Sequence, residues 1–365
     1  MTTPRLPRSL HPLAWWGWAI GVAVAANLTT NPLLLALMIA AVWLVVVSRR
    51  GDSPWARAFN LYVGLAVVIV VVRVVLHVLV GLKYGEIEIL PLPSIGLPSW
   101  AAGINLLGNV YLEGLLAAAL LGARLGVLII AIGAANALAN PKRLLRTLPG
   151  ALHEIGTAVI VSVSVAPQLA ESVQRVLRAR LLRGDTSRGV RAFPRVALPV
   201  LQDTLDRSLL LAAAMESRGY GRNTESRHRL LTGAATLTGL LVLALAMYGI
   251  LDTDHSPTWM GLPALLVGLA LVLFGLWLGG RSVNISSYRP DPWGLVETVT
   301  VLCGVAASLG MFATRHTDAI ALDMPLQPLA APVLPVWATL GILVAALPAV
   351  LTPPPVQRAA RRGSR

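Results

Sequence analysis

The sequence predicts an all-α, polytopic integral membrane protein with about eight transmembrane helices. Apolar residues make up 56% of the 365 residues and charged residues only 13%, whereas a soluble domain carries about 25% charged residues. The apolar residues form runs of roughly 15–22, long enough to cross a hydrocarbon core about 30 Å thick. The single cysteine, Cys303, lies in one of these runs, which excludes an internal disulfide and a metal site built from thiolates.

The predicted spans are separated by short polar loops, except in the middle of the chain. They cover residues 14–28, 32–48, 60–82, 113–136, 229–251, 259–279, 294–314 and 333–350. The first two are joined by "TTNP", whose proline forbids a continuous helix, so they form a tight helical hairpin. Tryptophans near span ends are expected to anchor the spans at the membrane interfaces. They include Trp15, Trp16, Trp18, Trp43, Trp100 and Trp259.

Basic residues are concentrated on one side of this arrangement. Arginine is frequent in the loops placed in the cytoplasm, which are residues 48–57, 137–228, 279–292 and 358–365. The outer loops carry only Lys83 and Arg315. The positive-inside rule therefore places both termini of this multi-pass protein in the cytoplasm, and it explains most of the +13 net charge without nucleic acid. The basic N-terminus precedes an uncleaved first helix, because further spans follow at once.

The connection over residues 137–228 is long enough to have a structure of its own. Residues 171–229 contain 12 arginines and 6 acidic residues. Apolar residues recur among them three or four positions apart, which indicates amphipathic helices. The stripes are Leu169, Val173, Val176, Leu177 and Leu181, and then Val196, Val200, Leu201, Leu205, Leu209 and Ala213. We expect two or three cytoplasmic helices, partly buried under the spans, with residues 151–166 apolar enough to enter the membrane.

Prolines punctuate these helices near their starts or kink them. They are Pro167, Pro194 and Pro199. Asp203, Asp206 and Arg207 lie largely off the apolar stripe.

One six-residue pattern occurs twice in this region, as "ARLLRG" at 179–184 and "AMESRG" at 214–219. In a helix, an alanine and an arginine four residues later lie on one face, and glycine suits the left-handed residue that ends a helix. Each copy therefore predicts a helix end carrying a guanidinium fork that can dock into a groove offering a carboxylate. The alternative is an ordinary helix ending, since Arg188–Gly189 is a third Arg-Gly pair without the alanine.

The sequence predicts no catalytic site, no bound cofactor and no metal site. Gly-Lys never occurs, so the chain has no P-loop for ATP. The cluster Asp252, Asp254 and His255, and the cluster His316, Asp318 and Asp323, are expected to be solvated loop residues. The same is expected of Glu86, Glu88 and Glu113 at the outer ends of the third and fourth spans. Within the spans, Arg73, His77 and Arg124 are the main ionisable residues, and an interhelical hydrogen bond is expected for His77.

The chain resembles the transmembrane coupling (T) component of energy-coupling factor (ECF) transporters, the CbiQ-type family. The resemblance covers roughly residues 10–250. It rests on the opening hairpin "LHPLAWWGWAIGVAVAANLTTNP", the central "EGLLAAALLGARLGVLIIAIGAANALANPKRLLRTL", and the two segments "SVAPQLAESVQRVLRARLLRG" and "ALPVLQDTLDRSLLLAAAMESRGYG". Members of the family often end after the span at 229–251, whereas this chain continues through three further apolar runs.

The resemblance implies a non-catalytic subunit of an ATP-driven importer of a vitamin or a transition-metal ion. Its partners would be two ABC-type ATPase subunits, a separate substrate-binding membrane subunit and membrane lipid. By position, Arg183 and Arg218 would dock into the two ATPases, with Ala179, Gly184, Ala214 and Gly219 shaping the contacts.

The resemblance also implies a division of the chain and leaves two other functions to be weighed. The N-terminal membrane domain would span 10–136, the coupling-helix region 137–228, the next transmembrane helix 229–251, and additional helices with a basic tail 252–365. A self-sufficient proton-coupled secondary transporter would need ionisable residues buried in its spans and an inverted repeat. A membrane-embedded enzyme would need convergent polar residues near one membrane face.

Overall fold

The computed structural model describes residues 9–51, 58–80, 84–96, 105–147, 153–184, 193–217, 219, 229–252, 256–281 and 292–354. Helices dominate these residues and confirm the all-α class. They are α1 Pro12–Asn27, α2 Pro32–Arg49, α3 Phe59–Val80, α4 Leu112–Leu138, α5 Pro141–Arg146, α6 His153–Leu182, α7 Phe193–Ser217, α8 Arg229–Leu251, α9 Leu262–Arg281, α10 Leu295–Thr317, α11 Val336–Ala346 and α12 Pro348–Leu351.

Each predicted span coincides with a helix, but the set of membrane-length helices differs from the predicted set in three places. Among the described residues, seven helices are long and apolar enough to cross a membrane, namely α2, α3, α4, α6 from Gly156, α8, α9 and α10. Helix α1 has only 16 residues, and the apolar stretch Val336–Leu351 is also shorter. Helix α6 joins the set because its first half is apolar, the half that the sequence predicts can enter the membrane.

The chain forms two compact units, and the second is inserted into the first. One unit is Met1–Leu144 together with Pro290–Arg365, and the other is Leu145–Arg289. In the first unit α4 packs on α1, α2 and α3, while α10 and α11 pack on each other and on α1 and α2 respectively. The C-terminal helices beyond residue 290 are therefore part of the same core as the first hairpin.

The contact between α1 and α10 is made by small residues. A side chain at Gly21 would overlap the backbone of Gly304, and one at Gly304 would overlap the backbone of Trp18. The Ser308 hydroxyl donates to the Gly21 carbonyl at 2.6 Å. Such close backbone approach is how helices associate in a membrane, where burial of apolar surface gives no advantage over lipid.

Two tryptophans expected at the membrane interface lie in the core instead. Trp15 and Trp18 are 4% and 0% exposed. The Trp18 indole N–H donates to the Ala345 carbonyl on α11 at 2.9 Å. The interface prediction is wrong for these two residues because α10 and α11 cover the face of α1 that the sequence alone leaves open.

The tip of the first hairpin is held by the segment that follows α10. The Asn31 amide donates to the carbonyls of Ala321 at 2.9 Å and Val333 at 2.7 Å. The Thr29 hydroxyl donates to the Leu322 carbonyl. Thr29 and Asn31 are almost fully buried, so these bonds satisfy polar groups that would otherwise be costly to bury.

The outer connection between α3 and α4, predicted as a loop, contains short strands. Strand β1, Glu88–Leu90, pairs antiparallel with β4, Val110–Tyr111. Strand β2, Ser94–Gly96, pairs antiparallel with β3, Asn105–Leu107. The sequence does not predict these strands because each has only two or three residues.

Glu113 is not the solvated acid that its place at a span end predicts. It is 2% exposed, and its carboxylate accepts the backbone N–H groups of Glu86 and Ile87, both at 3.1 Å. The buried carboxylate thus fastens the outer connection to the start of α4.

The second unit contains two helix pairs. Helices α8 and α9 pack closely, and a side chain at Gly268 would lie 2.9 Å from the backbone of Leu243. Helices α6 and α7 cross each other and confirm that long helices occupy the central connection. Pro167 and Pro199 lie inside these helices.

Candidate functional site

The first Arg-Gly pair lies at the C-terminal end of α6. The Arg183 N–H donates to the carbonyls of Ala179 at 3.2 Å and Arg180 at 3.0 Å, and the Gly184 N–H donates to Leu181 at 3.1 Å. Gly184 has φ +76°, the left-handed conformation in which helices commonly end. The sequence prediction that this glycine ends a helix is confirmed.

The second copy repeats this ending at α7. Helix α7 ends at Ser217, the Gly219 N–H donates to the Glu216 carbonyl at 2.9 Å, and Gly219 has φ +81°. The Ser217 hydroxyl turns back to the Ala214 carbonyl at 2.9 Å. Arg218 lies outside the described residues, as does Arg188.

Both helix ends are open to the surroundings. A side chain added at Gly184 or Gly219 would meet nothing within 4 Å. Ala179, Arg183 and Ala214 are exposed. The described part of the chain thus leaves both copies accessible to a partner.

The two ends point away from each other across the crossing of α6 and α7. A cleft of about 500 Å³ lies between the helices. It is lined by residues within 160–172, which lead up to the contact at Ser172 on α6, and by residues within 203–215, which continue from the contact at Asp203 on α7. The helices therefore run antiparallel along the cleft. The C-terminal arm of α6 leaves the crossing in one direction and the C-terminal arm of α7 in the other.

Polar side chains join the two helices at the crossing. The Ser172 hydroxyl on α6 donates to Asp203 Oδ2 on α7 at 2.6 Å, and Arg207 Nε donates to Asp203 Oδ1 at 3.1 Å. Arg175 on α6 lies 3.8 Å from Asp203 Oδ2. The Ser172 hydrogen bond, followed by Arg207 and Arg175, holds the pKa of Asp203 below its ordinary value, so the carboxyl is ionised at neutral pH.

Sequence reasoning missed this contact, although a signal for it exists. Ser172 lies three residues after Leu169 and four before Val176, and so on the apolar stripe of α6. A polar residue on an apolar stripe requires a partner when it is buried, and Ser172 is 3% exposed. Asp203, predicted to lie largely off the stripe, is the partner.

Most of the apolar stripe itself is exposed. Val200 is the one stripe residue that is buried. On α7, Leu201, Leu205 and Leu209 are 58%, 61% and 68% exposed. These leucines present an apolar row that no described residue covers.

The arginines within the spans differ in their surroundings. Arg124 on α4 donates to the carbonyl and to Oδ1 of Asn27, the latter at 2.6 Å, which places its charge at the C-terminal end of α1 where cations are favoured. Arg73 on α3 is exposed, and no described residue forms a hydrogen bond or an ion pair with it. The His77 ring makes an edge contact with Tyr84 at 6.4 Å.

The clustered acids and histidines have ordinary surroundings where they are described. Asp323 accepts the Thr30 hydroxyl at 2.7 Å, Asp318 caps the turn at Ala321, and Asp252 accepts the Tyr248 hydroxyl at 3.1 Å. Asp254 and His255 lie outside the described residues. The described residues bring together no group of three His, Cys, Asp or Glu that could hold a metal ion.

Comparison with known proteins places this arrangement of a membrane unit and crossed helices in a family. The model of the family described as cobalt transport protein, CbiQ, matches residues 5–230, which is more than half of the chain. The chain belongs to this family. The match ends at the start of α8, so α8 to α12 lie beyond it.

Curated relatives carry the name energy-coupling factor transporter transmembrane protein EcfT. The relative from Exiguobacterium sibiricum is 36% identical over 103 residues, which is 26% of this chain and 39% of that protein. The relative from Thermanaerovibrio acidaminovorans is 32% identical over 128 residues, 31% of this chain and 48% of that protein. The relative from Bacillus subtilis is 32% identical over 122 residues, which is 30% of this chain and 45% of that protein. The chain thus spans less than half the length of the relatives it matches.

Proposed function

We propose that this protein is the non-catalytic transmembrane component of an ATP-driven ECF-type importer. It transmits ATP hydrolysis by two ABC-type ATPase subunits to a separate substrate-binding membrane subunit. The observation that carries this proposal is the pair of alike, open Ala-x-x-x-Arg-Gly helix ends, which leave one helix crossing in opposite directions. We call each of these helix ends an arginine plug. Two alike plugs suit two alike ATPase subunits.

The chemistry of each plug supports docking to an acidic groove. Arginine carries five donors in a rigid planar fork that pairs with a carboxylate through two hydrogen bonds. The small Ala179 and Ala214, one turn before each arginine, leave room for a partner surface to approach the helix backbone. Truncating one partner of a desolvated charge pair costs about 2–5 kcal/mol, so each arginine is critical for docking.

The energy source supports the same function. The sequence contains no P-loop, so the energy for transport comes from a partner or from a gradient, and we propose a partner that hydrolyses ATP. The names of the relatives speak of an energy-coupling factor, and the family description speaks of cobalt. We therefore propose a vitamin or a transition-metal ion as the class of substrate, carried by the substrate-binding subunit and not by this chain.

The distribution of charge supports a topology for the assembled importer. Arginine-rich loops face the cytoplasm under the positive-inside rule, so both termini and the arginine-rich part of the 137–228 region lie there. The bacterial relatives favour the plasma membrane of a prokaryote. The membrane domain at 10–136 and the helices after 228 then surround or contact the substrate-binding subunit and lipid.

Co-purification with the ATPase subunits tests the proposal. Arg183→Ala and Arg218→Ala should each weaken retention of the ATPases by about thirtyfold or more, because about 2 kcal/mol is lost at each site, and the double variant should retain none. Arg178→Ala is the matched control, since Arg178 is an exposed arginine on α6 that is not followed by glycine. Arg188→Ala is a second control.

Two outcomes contradict the proposal. One is full retention of the ATPases by the double variant together with unchanged uptake. The other is uptake that continues without ATPases and stops when the proton gradient is collapsed, which is the behaviour of a secondary transporter.

A further inference from the structure

Helices α6 and α7 are joined at their crossing by one carboxylate that both helices hold. Asp203 belongs to α7, and Arg207, one turn later on the same helix, orients its Oδ1 at 3.1 Å. The other oxygen, Oδ2, faces α6, where it accepts the Ser172 hydroxyl at 2.6 Å and lies 3.8 Å from Arg175. The Asp203 carboxylate is therefore oriented by Arg207 of its own helix and hydrogen-bonded to Ser172 of the other helix.

Apolar packing does little to hold this crossing on the side of the cleft. The space of about 500 Å³ between Ile160 and Met215 separates the two helices there. Ser172 is nearly fully buried, whereas most of the neighbouring leucines on α7 are exposed. At the end of the cleft, the contacts of Asp203 with Ser172 and Arg175 join the two helices, and Val200, one turn earlier on α7, is buried.

The crossing lies well back from both Arg-Gly ends. Eleven residues separate Ser172 from Arg183, which is about 17 Å of helix, and sixteen separate Asp203 from Gly219, about 24 Å. A rotation of about 10° at the crossing moves the two ends by about 3 and 4 Å, by the same helical rise. Small changes at the crossing are thus enlarged at the docking ends.

We propose that Asp203 is a positioning residue, which fixes the crossing of α6 and α7 and thereby the separation of the two arginine plugs. This inference rests on the proposed function, because the plugs matter only if they dock. Asp203 acts on coupling through Arg183 and Arg218.

Distance measurement between two spin labels on the full-length chain tests the inference without any partner. Leu182→Cys and Ser217→Cys place labels at exposed positions just before the two Arg-Gly ends, in a Cys303→Ala background that removes the one native cysteine. The helical rise limits the separation of the two labelled Cα atoms to about 36 Å. We expect a single narrow distance distribution for the otherwise unaltered chain.

Variants at the crossing give the decisive comparison. Asp203→Ala should broaden the distribution toward shorter distances, because a crossing that is no longer fixed lets the two arms bend away from their opposed arrangement. Asp206→Ala removes the same charge from an exposed neighbour on α7 that makes no ion pair among the described residues, and it should change nothing. The exchange Ser172→Asp with Asp203→Ser rebuilds the hydrogen bond in reverse and should restore the narrow distribution.

An unchanged distance distribution in Asp203→Ala overturns the inference. If that variant fails to fold, Ser172→Ala, which removes only the hydrogen bond between the helices, is measured in its place, and a distribution like that of the parent chain overturns the inference equally. A purely stabilising role for Asp203 would lower the unfolding temperature and leave the distance between the labels unchanged.

The reconstituted importer separates this inference from the proposed function. In Asp203→Ala both arginines remain, so the ATPases should still be retained. Because the separation of the arginines is no longer fixed, the ATPases should hydrolyse more ATP for each substrate molecule imported. Loss of ATPase retention in the arginine variants tests docking, whereas the label distance tests the crossing. The docking proposal can therefore be contradicted while the inference about the crossing stands, and the reverse is equally possible.

Discussion

Gly184 and Gly219 have backbone conformations that side chains with a Cβ atom disfavour. Their φ angles of +76° and +81° lie in the left-handed region, where an L-residue other than glycine is strained by roughly 1–2 kcal/mol. At α6 the turn at Gly184 directly follows Arg183, whose N–H still bonds to the Ala179 carbonyl. At α7, Gly219 lies two residues after Ser217, the last residue of the helix. At the residue scale, the glycines determine where the guanidinium groups are presented.

Replacing either glycine by valine should impair docking. Gly184→Val or Gly219→Val costs about 1–2 kcal/mol at the helix end, and we expect retention of the ATPase subunits to fall about fivefold, the factor that 1 kcal/mol gives. Gly184→Asn should retain them, because asparagine tolerates the left-handed conformation. Gly64→Val on α3 is the control, since a side chain there meets nothing within 4 Å. Unimpaired retention by both valine variants would show that the helix ends do not set the docking geometry.

At the scale of elements, α10 is the helix that ties the C-terminal part of the chain to its first hairpin. It packs on α1 through Gly21 and Gly304 and on α11 through Gly310 and Gly341. Helix α1 is short for a span, and contacts with α4 and α10 support it on two sides. Helices α10 to α12, which lie beyond the family match, are therefore integral to the first unit.

Gly304→Val should destabilise this packing. The new side chain would overlap the backbone of Trp18, and overpacking of this kind costs about 1–3 kcal/mol. We expect a lower unfolding temperature for the purified chain in detergent. Leu309→Val, an exposed position on the same helix, serves as the control and should leave the unfolding temperature unchanged; an equal effect of the two substitutions would contradict close packing at Gly304.

At the scale of the whole molecule, the chain leaves the first unit after residue 144 and returns to it at residue 290. The returning segment is held by polar bonds as well as by helix packing. Asn31 bonds to carbonyls on both sides of the segment that follows α10, and Trp18 bonds to Ala345 on α11.

Cleavage between the units should leave the first unit assembled. A protease site inserted within residues 282–291 allows the chain to be cut after purification, and the piece containing α10 to α12 should remain bound to the piece containing α1 to α4. Separation of the two pieces on size-exclusion chromatography would contradict the shared core. The same cut in Gly304→Val should release the C-terminal piece more readily.

The sequence predicts local features of this molecule well and long-range contacts poorly. Apolar runs predict the spans because each helix must satisfy its own backbone in lipid, and the Arg-Gly pairs predict two helix ends because glycine favours the left-handed turn. The partners of Asn31 lie 290 and 302 residues away, and they are backbone carbonyls, which every residue has. The residue types at positions 321 and 333 therefore do not predict these hydrogen bonds.

The same reason explains the other differences from the predictions. Glu113 finds backbone N–H groups, not a side chain of opposite charge, and Trp18 is buried by helices that begin more than 270 residues later. Ser172 and Asp203 are 31 residues apart, and only the crossing angle of two helices brings them together. Asp203 looks like a solvated charge until that angle is known.

The polar tip of the first hairpin has a consequence for biosynthesis. Ribosomes complete residues 29–31 long before residues 321–333 exist. The Thr29 hydroxyl and the Asn31 amide therefore lack these carbonyl partners while the intervening helices are inserted. A nascent chain that stops after α9 already carries both plugs, yet its first hairpin still exposes these donors. The tip of the first hairpin can therefore reach its final buried state only after residues 321–333 have been made.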